Sequence, residues 1–514
     1  MNRKLYIESL FLIVLGIFTS FSLPPFNYII LNFFTFSLFF IFLIRKLETS
    51  KNKKIFFFYG WLFGFGYFTS NLYWIAYALT FDDHFKILIP FSILLIPGFI
   101  ALFYGLLVYI YSILGSKKIL SSFFIFSIIF GIIEFLRGSI LTGFPWNLIV
   151  YSFSNQTEIL NILSLIGTYG FNLICISLFT SPAILILKYD KKGIGVFLVL
   201  ILILVSFYIY GSKNIETFNK SEKKEYDYNV RIIGSNISID RFYNDIDTAK
   251  IIEELVEISS PQKDTKTIFV WPEGILPDIS QVNLVEYNSL FKNKFNENHI
   301  LIIGINNVLN DKKNIKIFNT LSVYDNNLNL IDSYKKINLV PFGEFIPFEK
   351  ILKKMNLKTI TNSFQSFSKG DKRNIIEIKE NNFTLKILPL ICYEIIYSGK
   401  IFKNNNFDII INISEDGWFG QSIGPNQHFI HSIYRSIESG KYVLRSTNNG
   451  ITAIINPVGI VEQKLSLNEP GYIDFNEHKE INKTLFSKYG NKIFGIIILL
   501  YIFLIFSFKK MENE

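Results

Sequence analysis

The sequence predicts a multi-span α-helical membrane bundle of about eight helices, joined to an α/β domain that lies outside the cytoplasm. The apolar residues of this 514-residue chain gather in long runs between residues 5 and 211 and again at 491–508. The segment between them has the mixed composition of a globular domain. Basic residues flank alternate apolar runs. The length alone indicates more than one domain.

Eight apolar runs are long enough for transmembrane helices, which need about 20 apolar residues to cross the hydrocarbon core. The alternative, buried core helices of a globular protein, fits poorly with so many runs joined by short loops. The fifth run carries Glu134, three residues before Arg137, and we favour a mutual ion pair that locks the bundle over a functional role. The predicted spans are 5–22, 27–44, 55–79, 87–114, 119–136, 160–187, 194–211 and 491–508.

The net charge of +9 could indicate a nucleic-acid partner, but its distribution argues against one. The positive excess belongs to the apolar parts of the chain, whereas residues 212–490 are close to neutral. The basic clusters lie at the two ends of the chain and after the second, fourth and sixth runs, which is the positive-inside pattern of a membrane protein. Both termini are therefore predicted in the cytoplasm, and the segment after span seven outside it.

This orientation divides the chain into four parts. Residues 1–211 are predicted to form a membrane domain of seven helices, 212–228 a linker, and 229–488 the outer domain. Residues 489–514 supply the eighth helix and a cytoplasmic tail. In the outer domain short apolar runs alternate with amphipathic ones, which indicates layered α/β architecture. The first run is read as a retained helix rather than a cleaved signal peptide.

Three predicted strands of the outer domain end in reactive side chains. TIFVWPE ends in Glu273, SYKKINLVPFGE carries Lys335, Lys336 and Glu344, and LKILPLIC ends in Cys392. Each has an ordinary structural explanation when taken alone. The chain's other cysteine lies in the middle of a predicted span, where a small packing residue is the expected role. No disulfide framework is therefore expected.

Together these groups form a coherent site for nucleophilic catalysis. A thiol with a pKa near 8.5 reacts well only as the thiolate, and a nearby carboxylate can take its proton. A lysine ammonium can stabilise the thiolate and the oxyanion of a tetrahedral intermediate. The backbone N–H of Tyr393 can supply a second oxyanion donor. No metal is required, and His428 and His431, three residues apart on a predicted helix, are more simply structural or solvated than metal ligands.

Several motifs in this order resemble the nitrilase superfamily, and more closely the bacterial apolipoprotein N-acyltransferases. They are WPEG, YKK followed by LVPFGE, ICYE, NISEDGWFGQSIGPNQH and RSTNNG, with EFLRGSILTGFPWN after the fifth span. The resemblance implies an αββα sandwich without a cofactor or metal. It implies a triad of Glu273 as general base, Lys336 (rather than Lys335) for oxyanion and thiolate stabilisation, and Cys392 as nucleophile. Supporting roles are implied for Glu344, Tyr393 and Glu394.

Two positions depart from the family pattern, and one residue needs interpretation. Asn338 stands where a histidine is common, and Tyr243 stands where a tryptophan is expected. Neither belongs to the triad. Glu394 follows Cys392 by two residues and is interpreted as ordering the rim of the site rather than as the base.

The resemblance implies an acyltransferase of the bacterial inner membrane with its catalytic domain on the periplasmic side. It would move an acyl chain from a phospholipid, through a thioester on Cys392, to the N-terminal amine of a diacylglyceryl-cysteine apolipoprotein. A monomer is expected. The alternatives are a membrane-anchored amidase that transfers acyl groups to water, and a transporter with a non-catalytic outer domain. The segment 348–368 is either a mobile lid over the acyl chain or a packed surface loop.

Overall fold

The structure, a computed structural model, describes residues 3–244, 247–311, 314–347, 366–380, 383–401 and 406–512. The proposed lid therefore lies outside the described residues except for 366–368. The helices are α1 (Arg3–Ser20), α2 (Ile30–Thr49), α3 (Lys54–Leu72), α4 (Ile89–Leu114), α5 (Ile119–Arg137), α6 (Thr157–Leu160), α7 (Leu163–Thr180), α8 (Pro182–Leu187), α9 (Lys191–Lys220), α10 (Thr248–Ser259), α11 (Asn288–Lys292), α12 (Gly424–Ser439), α13 (Leu485–Tyr489) and α14 (Lys492–Met511).

Helices occupy all eight segments predicted to span the membrane. Six helical segments of the described chain are long and apolar enough to cross a membrane: Ile30–Thr49, Asp83–Leu114, Ile119–Arg137, Leu163–Leu187, Lys191–Lys220 and Lys492–Met511. Helix α1 begins with charged residues, α3 is rich in Gly and Tyr, and neither is among these six. For α1 and α3 the crossing stays a prediction.

Two predicted segments differ from what the structure contains. The span 160–187 is not one helix, because Gly167 adopts φ 67° and ψ 176° and interrupts α7 after its first turn. The linker predicted at 212–228 is not irregular. Helix α9 continues to Lys220, and the first strand begins at Lys223. Polar composition indicated a linker, but a helix that leaves the membrane can continue with a solvated surface.

Thirteen strands of the described outer domain form two sheets. The first has the order β13-β1-β2-β4-β5-β6 with β3 beside β4, and the second has the order β12-β11-β10-β9-β8-β7. The strands are β1 (Lys223–Gly234), β2 (Thr267–Val270), β3 (Leu276–Ser280), β4 (His299–Asp311), β5 (Asn314–Tyr324), β6 (Leu330–Lys335), β7 (Ile376–Glu380), β8 (Phe383–Ile391), β9 (Ile409–Glu415), β10 (Tyr442–Asn448), β11 (Ala453–Ile455), β12 (Val461–Lys464) and β13 (Gly471–Lys479).

The two sheets pack face to face, and helices cover their outer faces. Ser446 on β10 donates from its hydroxyl to the carbonyl oxygens of Ile233 and Val270, so hydrogen bonds join the sheets through the centre. Helix α10 packs its apolar side, including Leu255, on the first sheet. Helix α12 packs against β10 and β11 of the second. The predicted αββα sandwich is therefore confirmed.

Helix α12 lies between the sandwich and the membrane bundle. Its start is marked by Pro425 in the first turn, and it ends at Gly440, which adopts the left-handed conformation with φ 66°. Every residue from Gln427 to Ser439 is buried. A helix buried on all sides needs partners all round. Helix α7 and the loop after α5 supply them on the side away from the sheet.

Candidate active site

Cys392 lies directly after β8, at the first residue of a short 3-10 helix that runs to Ile396. Strands β8, β9 and β10 are parallel, so their carboxyl ends meet at one edge of the second sheet. Cys392 has φ 47°, in the left-handed region that non-glycine residues rarely adopt. Only 8% of the residue is exposed. The nucleophile predicted from the sequence therefore stands at a sharp turn after a buried strand.

Lys336 forms the centre of a buried ion cluster. It follows β6, and its Nζ lies 2.9 Å from Oε1 of Glu273 and 2.9 Å from Oε1 of Glu344. Its neighbour Lys335 points elsewhere, with Nζ 4.3 Å from the centre of the Phe318 ring. The structure therefore brings Lys336, and not Lys335, between the two predicted carboxylates.

Glu273 is fixed by contacts from three strands. It stands three residues after the end of β2, and its Oε2 accepts from the backbone N–H of Glu415 at 3.0 Å. Gly304 on β4 permits the close approach of this turn, because a Cβ there would lie 2.5 Å from Cα of Glu273. Oε1 also accepts from the side-chain amide of Asn319 at 2.7 Å.

Asn319 is a member of the cluster that the sequence motifs did not reveal. Its Nδ2 donates to both Glu273 Oε1 and Glu344 Oε1, the second at 3.0 Å. Asn319 lies on β5, which pairs with β6. The pairing brings Asn319 opposite Lys336, whose N–H donates to the Asn319 carbonyl at 2.9 Å. The signal that would have found it is this pairing, which single-sequence motifs do not carry.

Burial and charge set the protonation of the site. Burial would lower the pKa of Lys336, but the carboxylates of Glu273 and Glu344 outweigh it and raise that pKa, so the ammonium stays charged. Burial, followed by the charge of Glu273, raises the pKa of the Cys392 thiol well above its usual value, and Lys336 offsets only part of this. The resting thiol therefore keeps its proton, and a nucleophilic role for Cys392 would require a base to remove it.

Glu394 is not at the rim of the site, and that interpretation was wrong. Its side chain is completely buried, and Oε1 accepts from the backbone N–H groups of Ile337 and Asn338, both at 3.1 Å. Oε2 accepts from the Ile391 N–H at 3.0 Å. One carboxylate thus ties the loop after Lys336 to the end of the strand before Cys392. Strand alternation could not predict this, because the chain turns into a 3-10 helix at Cys392.

An arginine supplies the counter-charge to Glu394. Arg373 NH2 lies 2.8 Å from Glu394 Oε1, and the Tyr334 hydroxyl donates to the same oxygen at 2.7 Å. Burial opposes the ionised form, but the charge of Arg373 outweighs it and lowers the pKa of Glu394. Arg373 also contacts Oδ1 of Asn338 at 3.3 Å. The first departure from the family pattern therefore belongs to this buried network.

The second departure, Tyr243, lies in an aromatic group. Its ring is 6.4 Å from that of Trp418, and the ring of Phe242 is 5.0 Å from the same indole. Burial, followed by the charge of Asp82, raises the pKa of Tyr243 to about 12. The residue is therefore a neutral phenol beside the loop that follows β9.

The turn after Cys392 contacts the loop that follows α5. The Tyr393 hydroxyl donates to the Gly143 carbonyl at 2.9 Å. The Tyr397 hydroxyl donates to the Thr142 carbonyl at the same distance. Arg137 organises this loop from inside, pairing with Glu134 at 3.0 Å and donating to the Asn147 carbonyl at 3.1 Å. The ion pair favoured from the sequence is confirmed, and it supports the loop that the turn beginning at Cys392 contacts.

The side-chain amide of Gln427, on helix α12, forms hydrogen bonds with several elements of the membrane bundle. Gln427 Oε1 accepts from the indole N–H groups of Trp146 and Trp74, at 2.9 and 3.3 Å. Its Nε2 donates to the Pro24 carbonyl and to Asn71 Oδ1, both at 3.3 Å. Both tryptophans are buried at this contact.

The two histidines of α12 contact different partners. Among the residues that the structure describes, no group of His, Cys, Asp and Glu is arranged to hold a metal ion. His428 contacts Asp416 and the Cys392 backbone, whereas His431 packs against the rings of Tyr151 and Trp146. Their structural interpretation is consistent with these contacts.

The architecture and the site place the protein in a class that joins a carbon–nitrogen-hydrolase fold to a membrane bundle. The carbon-nitrogen hydrolase family model matches residues 250–476, and the model of the apolipoprotein N-acyltransferase N-terminal domain matches residues 15–179. A relative named apolipoprotein N-acyltransferase from Rickettsia prowazekii is 33% identical over 499 residues, 95% of each chain. One of that name from Rhizobium leguminosarum bv. trifolii is 31% identical over 91% of this chain and 89% of its own. The chain belongs to the apolipoprotein N-acyltransferase family.

Solved structures similar to this chain cover about half of it. The nitrilase-superfamily protein Nit3 of Saccharomyces cerevisiae covers 52% of this chain and 93% of its own, with 18% identity and a TM-score of 0.34. An amidase from Nesterenkonia sp. covers 52% of this chain and 94% of its own, with 10% identity and a TM-score of 0.33. The chain is a multi-pass membrane protein with an acyl-transfer domain of nitrilase type.

Proposed function

We propose that this protein transfers an acyl chain from a phospholipid to the N-terminal amine of a diacylglyceryl-cysteine apolipoprotein. The acyl chain passes through a thioester on Cys392. The observation that carries the proposal is a contact with the membrane bundle made by the nucleophile turn, which is the 3-10 helix Cys392–Ile396. In this contact the Tyr393 hydroxyl donates to the Gly143 carbonyl. A nucleophile at that contact can receive an acyl chain from the bilayer. A water-dependent amidase has no need of the bundle, and the relatives' name does not favour it.

The first half-reaction forms the thioester. Glu273 accepts the thiol proton as Cys392 Sγ attacks the ester carbonyl of the phospholipid. The resulting oxyanion is stabilised by Lys336 Nζ and by the backbone N–H of Tyr393. An ammonium has three N–H groups, and two of those of Lys336 are directed to Glu273 and Glu344, so the third is available. The intermediate collapses, Glu273 returns the proton to the leaving alkoxide, and lysophospholipid departs.

The second half-reaction forms the amide. The free α-amine of the apolipoprotein attacks the thioester carbonyl, and Glu273 accepts a proton from the amine. The same two donors stabilise the oxyanion. The Cys392 thiolate then leaves and recovers its proton from Glu273. Glu344 and Asn319 hold the Lys336 ammonium and the Glu273 carboxylate in position relative to each other through both steps.

Mass spectrometry of the purified protein incubated with phospholipid tests the mechanism. One acyl group is expected on Cys392 when no acceptor is present, and none in Cys392→Ala. Cys175→Ala is the matched control, because that thiol is buried in a membrane helix, and it should still acylate. Addition of a diacylglyceryl peptide should then release the acyl group as an amide. Acylation elsewhere, or release only to water, contradicts the proposal.

Glu273→Gln tests the base separately. General base catalysis contributes on the order of 10²–10⁴-fold in rate, so thioester formation should fall by that amount. Glutamine is nearly the same size and its amide oxygen can accept from the Glu415 N–H, but its NH2 group then faces the Lys336 ammonium. The rate is therefore measured only on protein whose folding has been verified by its thermal unfolding in detergent. A rate within threefold of the wild type excludes Glu273 as the base.

We further propose that the protein resides in the bacterial inner membrane with its catalytic domain on the periplasmic side and both termini in the cytoplasm. The positive-inside distribution of the loops supports this orientation. Maleimide labelling of intact spheroplasts tests it with two exposed positions. Lys292→Cys should label from outside, and Lys51→Cys should label only after lysis. Reversed labelling contradicts the orientation. We expect a monomer, because one chain supplies Glu273, Lys336 and Cys392, and light scattering in detergent measures it.

A further inference from the structure

A buried imidazole contacts the backbone of the nucleophile. His428 on α12 is completely buried, and its Nε2 lies 3.3 Å from the carbonyl oxygen of Cys392. A carbonyl oxygen can only accept a hydrogen bond, so Nε2 carries a hydrogen and donates it. The ring lies 5.2 Å from that of Trp146 and is nearly parallel to it, which holds the plane of the imidazole. His428 therefore reaches the nucleophile through the main chain.

The other nitrogen of the ring faces a buried charged pair. Nδ1 lies 2.9 Å from Asp416 Oδ1 and 3.0 Å from Arg445 NH2. Arg445 also pairs with Asp416 Oδ2 at 2.7 Å. Burial, followed by the charge of Arg445, lowers the pKa of His428 despite the opposing charge of Asp416. Nε2 faces a carbonyl oxygen and therefore carries a hydrogen whether the ring is neutral or protonated, so it donates to Cys392 in either state.

The contact acts where the backbone is strained. Cys392 has φ 47°, and a non-glycine residue stays in the left-handed region only where its surroundings hold it there. A return to negative φ would redirect the Cα–Cβ bond and with it the thiol. The hydrogen bond from His428 engages the carbonyl of this same residue and so opposes that rotation.

We propose that His428 is a positioning residue: its Nε2–H holds the Cys392 carbonyl, keeps the nucleophile turn left-handed and aims the thiol at Glu273 and Lys336. The orientation of the thiol matters for the acyl transfer proposed above, so the effect of His428 on catalysis rests on that proposed function. The contact itself is measurable without turnover.

Two near-isosteric substitutions of His428 test the roles of its two ring nitrogens separately. The amide nitrogen of glutamine reaches the place of Nε2, whereas that of asparagine reaches only the place of Nδ1. His428→Gln therefore keeps a donor for the Cys392 carbonyl, and His428→Asn keeps only the group that faces Asp416 and Arg445. His431→Gln is the matched control for removing a buried imidazole from the same helix. Its ring packs on Tyr151 and on Trp146, so it shares an aromatic neighbour with His428, but its Nδ1 makes no hydrogen bond within the described residues.

Infrared spectroscopy measures the hydrogen bond directly. The chain has two cysteines, so in a Cys175→Ala background a 1-¹³C-cysteine label marks the Cys392 carbonyl alone. We expect the labelled amide I band to move to higher frequency in His428→Asn and to stay at the wild-type position in His428→Gln and His431→Gln.

Two rates measure the consequence for the thiol. The first is the alkylation of Cys392 by iodoacetamide, followed by mass spectrometry, and the second is single-turnover thioester formation from phospholipid vesicles. We expect His428→Asn to slow both about tenfold, the effect of losing one hydrogen bond that orients the reacting group. His428→Gln and His431→Gln should stay within threefold of the wild type.

Three results would overturn the inference: a wild-type band and rates in His428→Asn, rates in His428→Gln as low as those in His428→Asn, or an equal loss in His431→Gln. If His428→Asn does not fold, a shifted band or a tenfold slower alkylation in His428→Gln overturns it, and wild-type values support it. If the wild-type protein forms no thioester, the proposed function fails, whereas the band and the alkylation rate still decide the role of His428.

Discussion

Replacing Glu394 by glutamine keeps the size of the side chain and removes the charge that faces Arg373. The carboxylate has two acceptor oxygens, and both are used: Oε1 by Arg373 and the Ile337 N–H, and Oε2 by the Ile391 N–H. Glutamine has one acceptor and one donor end. At least one buried N–H would therefore face another N–H, and the guanidinium would lose its counter-charge.

The expected cost follows from the burial of the pair. Removing one partner of a buried ion pair costs about 3–5 kcal/mol. The Glu394 side chain is 0% exposed and that of Arg373 is 13% exposed, so the residual charge keeps some contact with solvent. We therefore expect Glu394→Gln to lower the free energy of unfolding by about 3 kcal/mol, the lower end of that range. Thioester formation should fall at least tenfold in the protein that remains folded, because the loop after Lys336 and the end of β8 lose their common anchor.

Denaturant unfolding in detergent measures the stability, and a double-mutant cycle with Arg373→Met isolates the pair. Arg373→Met removes the unpaired charge, so the double mutant should be more stable than Glu394→Gln alone. The pH dependence has a defined sign. The pKa of Glu394 is lowered in the folded state, so the pair contributes fully above the unfolded pKa of about 4.3 and its contribution is lost as the pH falls through the folded pKa. A Glu394→Gln protein within 1 kcal/mol of the wild type, or costs that simply add in the double mutant, would refute this reasoning.

Three further predictions follow from single contacts. Lys336→Met should abolish thioester formation, measured by mass spectrometry, whereas Lys335→Met, which loses only a contact with an aromatic ring, should retain it; equal losses contradict the assignment. Gly167→Ala should lower the thermal unfolding midpoint by several degrees, because a Cβ would lie 2.0 Å from the Phe486 ring at a residue with φ 67°; an unchanged midpoint would show that α7 does not need its break. Alkylation of Cys392 should accelerate with pH to beyond 9 without a plateau near 7, because burial raises the thiol pKa; a plateau near neutrality would indicate a preformed thiolate.

The sequence predicted those parts of the site that local pattern determines. Cys392 and Glu273 each follow a short apolar run, and such runs end at the edge of a buried sheet, so both could be located without a structure. The choice of Lys336 over Lys335 rested on motif spacing, and the structure brings Lys336 between the carboxylates. The site assignments themselves stay predictions until acylation is measured.

The remaining parts depend on contacts between distant segments. Asn319 enters the cluster through the register of β5 against β6, which no local pattern reveals. The buried position of Glu394 follows from the left-handed turn at Cys392, where strand alternation stops. The polar stretch 212–228 looked like a linker because composition does not distinguish a solvated helix end from a loop.

The burial of α12 bears on how the protein is made. In a free sandwich the face of this helix away from the sheet would meet water, yet here Gln427 and Tyr434 on that face bond to loops of the bundle. The outer domain thus shares one of its layers with the lipid-embedded part, and cutting the chain after α9 would expose a helix face that is buried in the intact protein. We expect the excised domain to aggregate. We also expect the intact chain to complete its outer domain only after the seven predicted spans of residues 1–211 have been inserted and assembled.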